Sequence, residues 1–204
     1  MPLQISKKQL EIQLSQLKIP NNPKLLLEQY PISAEVAAEL LHMASFEYQD
    51  LYGKNIIDLG TGTGLLAIGS VLLGAQHVTG VDVDPDALQI AQANAGQFDV
   101  KVGWKLSDIT QLTGQYDTVL MNPPYGTRIA HADKTFLEKS FQLAPVIYSI
   151  HKSSTKQFIR AITRDHNRTI TDMRSMILKI PHLYRFHSRK WMDVEVDLYR
   201  ITSS

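Results

Sequence analysis

Asn122-Pro123-Pro124-Tyr125 is the stretch of this 204-residue chain best suited to carry chemistry. It directly follows the apolar run Tyr116-Asp117-Thr118-Val119-Leu120-Met121, which reads as a buried strand. Two prolines after a strand stop ladder pairing and fix the backbone. An amide side chain, rigid carbonyls and an aromatic ring are thereby held at one sheet edge. An amine conjugated to a ring or a carbonyl is a poor nucleophile, because its lone pair is delocalised. The Asn122 side-chain oxygen and the Pro123 carbonyl can accept its two N–H hydrogens and favour a pyramidal nitrogen. Orientation of this kind lowers a barrier by roughly 7–11 kcal/mol. Tyr125 can stack on the planar group, at about 1–3 kcal/mol. Without such a substrate the same tetrapeptide is only a rigid turn.

A second constellation lies upstream. Asp58-Leu59-Gly60-Thr61-Gly62-Thr63-Gly64 joins the apolar run Lys54 to Leu59 to a helical pattern over Leu65 to Leu73. Glycines between strand and helix let the backbone turn tightly and approach a ligand. The spacing is G-x-G-x-G, unlike the G-x-G-x-x-G that seats a dinucleotide pyrophosphate. A carboxylate at Asp58 opposes a pyrophosphate and favours a cation. S-adenosylmethionine carries both a sulfonium and an ammonium. Asp82, ending the next strand, is placed to accept ribose hydroxyls, and Val83 follows it. Asp108 falls where a carboxylate can accept from an exocyclic amine, or simply cap its loop. Thr61, Thr63 and Leu65 are expected to line the same pocket.

These groups need a scaffold, and the remaining pattern supplies one. Strands are expected over 54–59, 77–81, 100–106, 116–121, 146–151, 170–180 and 192–201. Helices are expected over 65–73, 85–95, 135–142 and 154–165. Pro85 opens the second of these helices, and Gly96 should end it. Alternation of this kind predicts an α/β fold with a mostly parallel sheet covered on both faces. The last two strands, joined without a helix, should pair antiparallel. Ahead of the core, residues 3–17 read as a helix, Pro20-Asn21-Asn22-Pro23 interrupts it, and Ser33 is a candidate N-cap for a helix to about Phe46. A single domain is expected, with residues 1–50 as a helical extension and 54–204 as the core. In such sheets ligands bind at the carboxyl edge of the strands.

Composition narrows the classes further. The chain has no cysteine, which removes disulfides, thiolate metal sites and a thiol nucleophile. Its seven histidines lack metal-ligand spacing, so no metal site is expected. The first residues show no leader pattern and no apolar run is long enough for a membrane helix, so a soluble, cytoplasmic protein without a membrane partner is expected. Net charge is +1 overall, but residues 1–150 carry −5 and residues 151–204 carry +6. A basic quarter of this kind can grip a polyanion. Lys152, just after a strand, and Arg189 and Lys190, between the closing strands, are the candidate RNA-binding residues. Ser154 with Gln157 fits a capping box.

Together, Asp58-x-Gly60-x-Gly62-x-Gly64, Asp82, Asp108 and Asn122-Pro123-Pro124-Tyr125 resemble the class I S-adenosylmethionine-dependent amino-methyltransferases. A tighter resemblance covers nearly the whole chain. Residues Pro23 to Pro31, Asn122 to Thr127, Tyr148 to Thr155 and Val194 to Leu198 are similar to the archaeal and eukaryotic family of small-subunit ribosomal RNA adenine-N6 methyltransferases. The resemblance implies a Rossmann-like seven-stranded sheet with an antiparallel C-terminal strand, S-adenosylmethionine as cofactor and N6-methyladenosine as product. It implies cofactor contacts from Gln29, Gly60, Thr63, Leu65, Asp82, Asp108 and Ile109. On its own residues, Gln29-Tyr30-Pro31 reads as a kinked turn that can cover the cofactor as a lid, or as the simple end of a helix. Ile32 stands where the family usually has threonine, leaving a backbone contact. Tyr125 stands where phenylalanine is more usual, a feature shared with glutamine-N5 methyltransferases of release factors. That activity, and a non-catalytic cofactor-binding assembly factor, are the alternatives. The family also implies a small zinc-ribbon activator protein on the edge strand, here Val100 to Leu106. Trp104 would be its exposed anchor, unless it packs into the chain's own core.

Overall fold

The computed structural model describes residues 5–20, 32–124, 132–181 and 191–203. Gln29, Tyr30, Tyr125, Arg189 and Lys190, all candidate site residues, lie outside them. Seven strands form one sheet in the order β3-β2-β1-β4-β5-β7-β6. They are β1 (Asn55–Leu59), β2 (His77–Asp82), β3 (Gly103–Leu106), β4 (Thr118–Met121), β5 (Val146–Lys152), β6 (Arg168–Pro181) and β7 (Trp191–Ser203). The first five run parallel, and β7 pairs antiparallel with both β5 and β6. The expected α/β class, the parallel core and the antiparallel closing pair are all present. β3 is an edge strand, as expected, but it is short: Val100 and Val102 pack on the core ahead of it.

Helices cover both faces. Alternation along β1 and β4 sends Ile56 and Leu120 to one apolar layer and Ile57, Leu59, Val119 and Met121 to the other. The first layer takes α1 (Lys7–Leu14), α2 (Ala34–His42) and α3 (Leu65–Leu72) through Leu10, Leu14, Val36, Leu40, Leu41 and Ile68. The second takes α5 (Ala132–Leu143) and α6 (Lys156–Asp165) through Leu137, Phe141, Ile159 and Ile162. No helix among the described residues is long and apolar enough to cross a membrane.

Local chemistry sets most boundaries. The Ser6 side chain accepts from Gln9 N–H and the Gln9 side chain accepts from Ser6 N–H, a capping box that starts α1 at Lys7. Ser33 accepts from Val36 N–H and opens α2, as its position predicted. α2 then widens into a π-helical turn over Met43–Glu47. α4 (Pro85–Gln97) starts on Asp84, with Pro85 in its first turn. Gly96 does not end it: the helix runs on through Gln97, and Asp99 takes the left-handed backbone, φ 50°. The expected Ser154 cap is absent too. Ser153–Thr155 form a short 3-10 turn, and the Thr155 side chain makes no capping bond to α6.

Charged groups clamp the N-terminal helices to the far side of the sheet. Arg174 on β6 meets Glu39 of α2 at 2.9 Å, Glu47 at 2.5 Å and Asp172 at 3.1 Å. Lys7 of α1 reaches the same Glu39 at 2.7 Å. Beneath them Asp50 accepts from Tyr148 Oη at 2.6 Å and from Arg200 Nε at 2.9 Å.

Candidate active site

Strand register brings the candidate residues level. Leu59 pairs with Val81 on one side and with Met121 on the other. Gly60, Asp82 and Asn122 therefore each stand one residue beyond the same row, at the carboxyl edge of three adjacent strands. Asp82 pairs with Leu106, which brings Ser107 and Asp108 to the next strand end. Residues separated by up to 62 positions are thus gathered on one rim.

The glycine turn takes the conformation its composition demands. Gly62 and Gly64 have φ of 54° and 87°, left-handed backbone that disfavours a side chain. Thr61 N–H donates to the Val81 carbonyl at 2.9 Å, tying the turn to β2. A Cβ built on Gly62 meets nothing within 4 Å, so this side of the turn is open to a ligand. Asp82 stands beside it. Its Oδ2 accepts from Gly62 N–H at 2.8 Å and its Oδ1 from Asp84 N–H at 2.9 Å. Burial raises its pKa. Each carboxylate oxygen has a second lone pair, so the arrangement fits a ribose diol as well. Val83 is 50% exposed beside it.

Asp58 has a different place from the one expected. Its carboxylate is sealed beneath the turn, 1% exposed. Oδ2 accepts from Thr61 Oγ1 at 2.6 Å and from Ala67 N–H at 3.1 Å. Burial pushes its pKa up to about 7. Through Oδ2 it braces the turn from below.

Asp108 caps its own loop: Oδ1 accepts from Thr110 N–H at 2.8 Å and from Thr110 Oγ1 at 2.7 Å. Those bonds lower its pKa. Both fall on Oδ1, and the residue stays exposed, so capping and ligand acceptance are compatible. Ile109 and Ile32 are buried in the two apolar layers, so each offers a ligand only backbone. Thr63, Leu65, Asn122, Pro124 and Lys152 are half-buried, and Pro123 is buried.

Trp104 does not face outward as an anchor. Its half-buried indole folds back over the glycine turn. A Cβ at Gly64 would lie 2.7 Å from Cη2, and one at Gly80 would lie 2.5 Å from Cζ3. The two glycines form a notch that accepts the ring. The ring's size looked like an unsatisfied edge, but the small residues that receive it are 24 and 40 positions away in sequence.

Two supports went unread in the sequence. Asn94, fully buried in α4, donates from Nδ2 to the Thr63 and Lys18 carbonyls at 3.0 Å and accepts from Lys18 N–H at 2.9 Å. It stitches the segment after α1 to the glycine turn. The available signal was a polar residue on the apolar stripe Ala87, Ala91, Ala95. Asp197 on β7 is also fully buried. It accepts from Ser153, Ser175 and Tyr199 hydroxyls at 3.0, 2.6 and 3.2 Å, with Lys156 Nζ at 3.3 Å. These bonds lower its pKa against the cost of burial. They hold the turn after β5 against the closing strands. Next to it Ser149 Oγ and His151 Nε2 lie 2.6 Å apart, and burial depresses the His151 pKa to about 3. No cluster of possible metal ligands occurs among the described residues.

Comparison with known proteins agrees with this geometry. The family model described as ribosomal protein L11 methyltransferase (PrmA) matches residues 39–192. The rRNA N(6)-adenosine-methyltransferase Mettl5 of Drosophila melanogaster is 38% identical over 87% of this chain and 87% of its own. METTL5 of Danio rerio is 35% identical over 96% of this chain and 98% of its own. A crystal structure of a proposed RNA methyltransferase from Pyrococcus horikoshii superposes with a TM-score of 0.89, at 39% identity over 97% of both chains. The chain belongs to the class I methyltransferases, in the family of the METTL5-like rRNA N6-adenosine methyltransferases.

Proposed function

We propose that the chain transfers a methyl group from S-adenosylmethionine to N6 of an adenosine in small-subunit ribosomal RNA. The observation that carries this reading is the common register that sets Gly60, Asp82 and Asn122 side by side at the sheet's carboxyl edge. The open side of Gly62 and the Asp82 carboxylate would hold the cofactor's amino-acid and ribose portions, with Val83 and Asp108 at its adenine. Bound there, S-adenosylmethionine supplies a methyl group on a positively charged sulfur.

The protein's own part is orientation. The Asn122 side-chain oxygen and the Pro123 carbonyl accept the two N6 hydrogens, so the nitrogen lone pair turns out of the ring plane toward the methyl carbon. A bound S-adenosylmethionine would supply the methyl that N6 takes, and the extra proton on N6 would then leave to water. No strong base is required. The target base must be unstacked to reach this rim, at a few kcal/mol, and Tyr125 would stack on it. Arg189 and Lys190 belong to the same proposal as contacts to RNA backbone.

Relatives that align over nearly the whole chain are named for rRNA adenosine, which favours RNA over a glutamine side chain. A small zinc-ribbon partner on β3 is also part of this reading. Its support is the strand's edge position and Leu106, 59% exposed, rather than Trp104. Such a substrate is consistent with a cytoplasmic enzyme.

The test is transfer of labelled methyl to protein-free small-subunit rRNA, in parallel with a release-factor substrate, followed by mass spectrometry of the digested RNA. N6-methyladenosine is expected, and label on glutamine alone would overturn the reading. Asn122→Ala should bind the cofactor and lose transfer. Full activity in that variant would refute the orientation mechanism.

A further inference from the structure

α6 carries a row of cations that the proposed reaction leaves without a role. Lys156, Arg160 and Arg164 recur every four residues, which places them along one flank of the helix. Ile159 and Ile162 are buried against the sheet and fix which flank that is. Each step rises about 6 Å, so the row spans roughly 12 Å. It begins at the carboxyl edge, directly after Lys152 at the end of β5, and runs away from the catalytic rim.

The cations are accessible. Arg160 is exposed and, among the described residues, belongs to no ion pair. The Arg164 side chain is 80% exposed and meets Asp165, itself 64% exposed, at 3.5 Å. An exposed pair of this kind is weak and screened by salt, and it yields readily to a phosphate. Lys156 is held at 3.3 Å by buried Asp197, which fixes the head of the row.

We infer that the Lys156-Arg160-Arg164 flank of α6 is the track for the phosphate backbone of the single-stranded rRNA segment flanking the target adenosine. Sequence-specific RNA recognition works on single strands whose bases can be splayed out, and a row of point charges leading from the catalytic rim suits such a strand. This rests on the rRNA reading above.

The experiment compares the full chain with Arg160→Ala/Arg164→Ala and Arg160→Lys/Arg164→Lys, measuring binding to protein-free small-subunit rRNA across salt concentrations. Each single-strand phosphate contact contributes about 0.7 to the slope of log affinity against log salt. The alanine pair should therefore lower the slope by about 1.4, which between 1 M and roughly 0.15 M salt is about a tenfold weakening. The lysine pair should keep the slope, and the cofactor Kd should be unchanged in both. Alanine variants with the parental slope would overturn the track. If the parent chain itself deposits no methyl on rRNA, the substrate reading fails, and the salt slopes still decide the track.

Discussion

Gly64→Ala is the sharpest test of how the cofactor turn is built. Two costs act there. The backbone has φ 87°, and a left-handed conformation costs an L-residue about 1–2 kcal/mol. The added methyl would also stand 2.7 Å from Trp104 Cη2, and 3.2 Å from both Ala91 Cβ and Ile68 Cδ1. The indole is rigid and half-buried, so it cannot swing clear, and overpacking of this kind costs about 1–3 kcal/mol. The total is about 2–5 kcal/mol, or roughly 4–20 °C in Tm for a chain of this size. Gly62→Ala is the control. Its φ of 54° carries the backbone cost, but a methyl there meets nothing within 4 Å, so about 1–2 kcal/mol is expected. Urea unfolding followed by circular dichroism measures both without relying on tryptophan emission. Trp104→Leu should absorb most of the difference, leaving Gly64→Ala little worse than Gly62→Ala in that background. Equal losses at the two glycines with Trp104 intact would refute the notch between edge strand and turn.

Other outcomes follow from the buried polar groups. Asn94→Ala leaves the Lys18 N–H and carbonyl and the Thr63 carbonyl without their partner. A loss of about 2–4 kcal/mol is expected in urea unfolding, together with weaker S-adenosylmethionine binding by calorimetry. The pH dependence should separate His151 from Asp58. Between about pH 4 and 6.5, unfolded His151 takes up a proton that the folded residue, with its pKa near 3, refuses. Its contribution therefore makes stability rise with pH. Folded Asp58 keeps its proton up to about pH 7 while the unfolded carboxyl loses it near pH 4, so its contribution makes stability fall with pH. Each slope is at most about 1.4 kcal/mol per pH unit. His151→Gln should tilt the stability profile downward with rising pH and Asp58→Asn upward. Tilts of the same sign would contradict the placement of one of them.

Much of the rim was legible in the chain because its signals are local. A glycine turn needs glycine where φ is positive, and Gly60, Gly62 and Gly64 announce it. Asp82 at a strand end and the Asn122-Pro123-Pro124 stop follow from the same short-range punctuation, as does the Ser33 cap. The Asp108 loop cap was legible too, since an aspartate two residues before a threonine is well placed to accept from its N–H and hydroxyl. The misreadings share another character. Gly96 looked like a terminator, but α4 runs on through Gln97, and Asp99 supplies the left-handed residue instead. Asp197 went unread because nothing local, between Val196 and Leu198, announces the four donors that the folded chain brings to it.

By itself the sequence determined the element types, the α/β class and the residues able to turn, cap or accept a hydrogen bond, because backbone conformation is chosen within a few neighbours. It also carried the resemblance that names the cofactor. Tertiary structure alone decided which of those groups meet. The parallel register levelled Gly60, Asp82 and Asn122. Close packing turned Trp104 inward onto two distant glycines and sealed Asp58 beneath the turn it had seemed to flank. A carboxylate or an indole has the same local signature whether it faces a ligand or a strut. The choice is made by desolvation and steric fit against residues dozens of positions away, and those exist only in the folded chain.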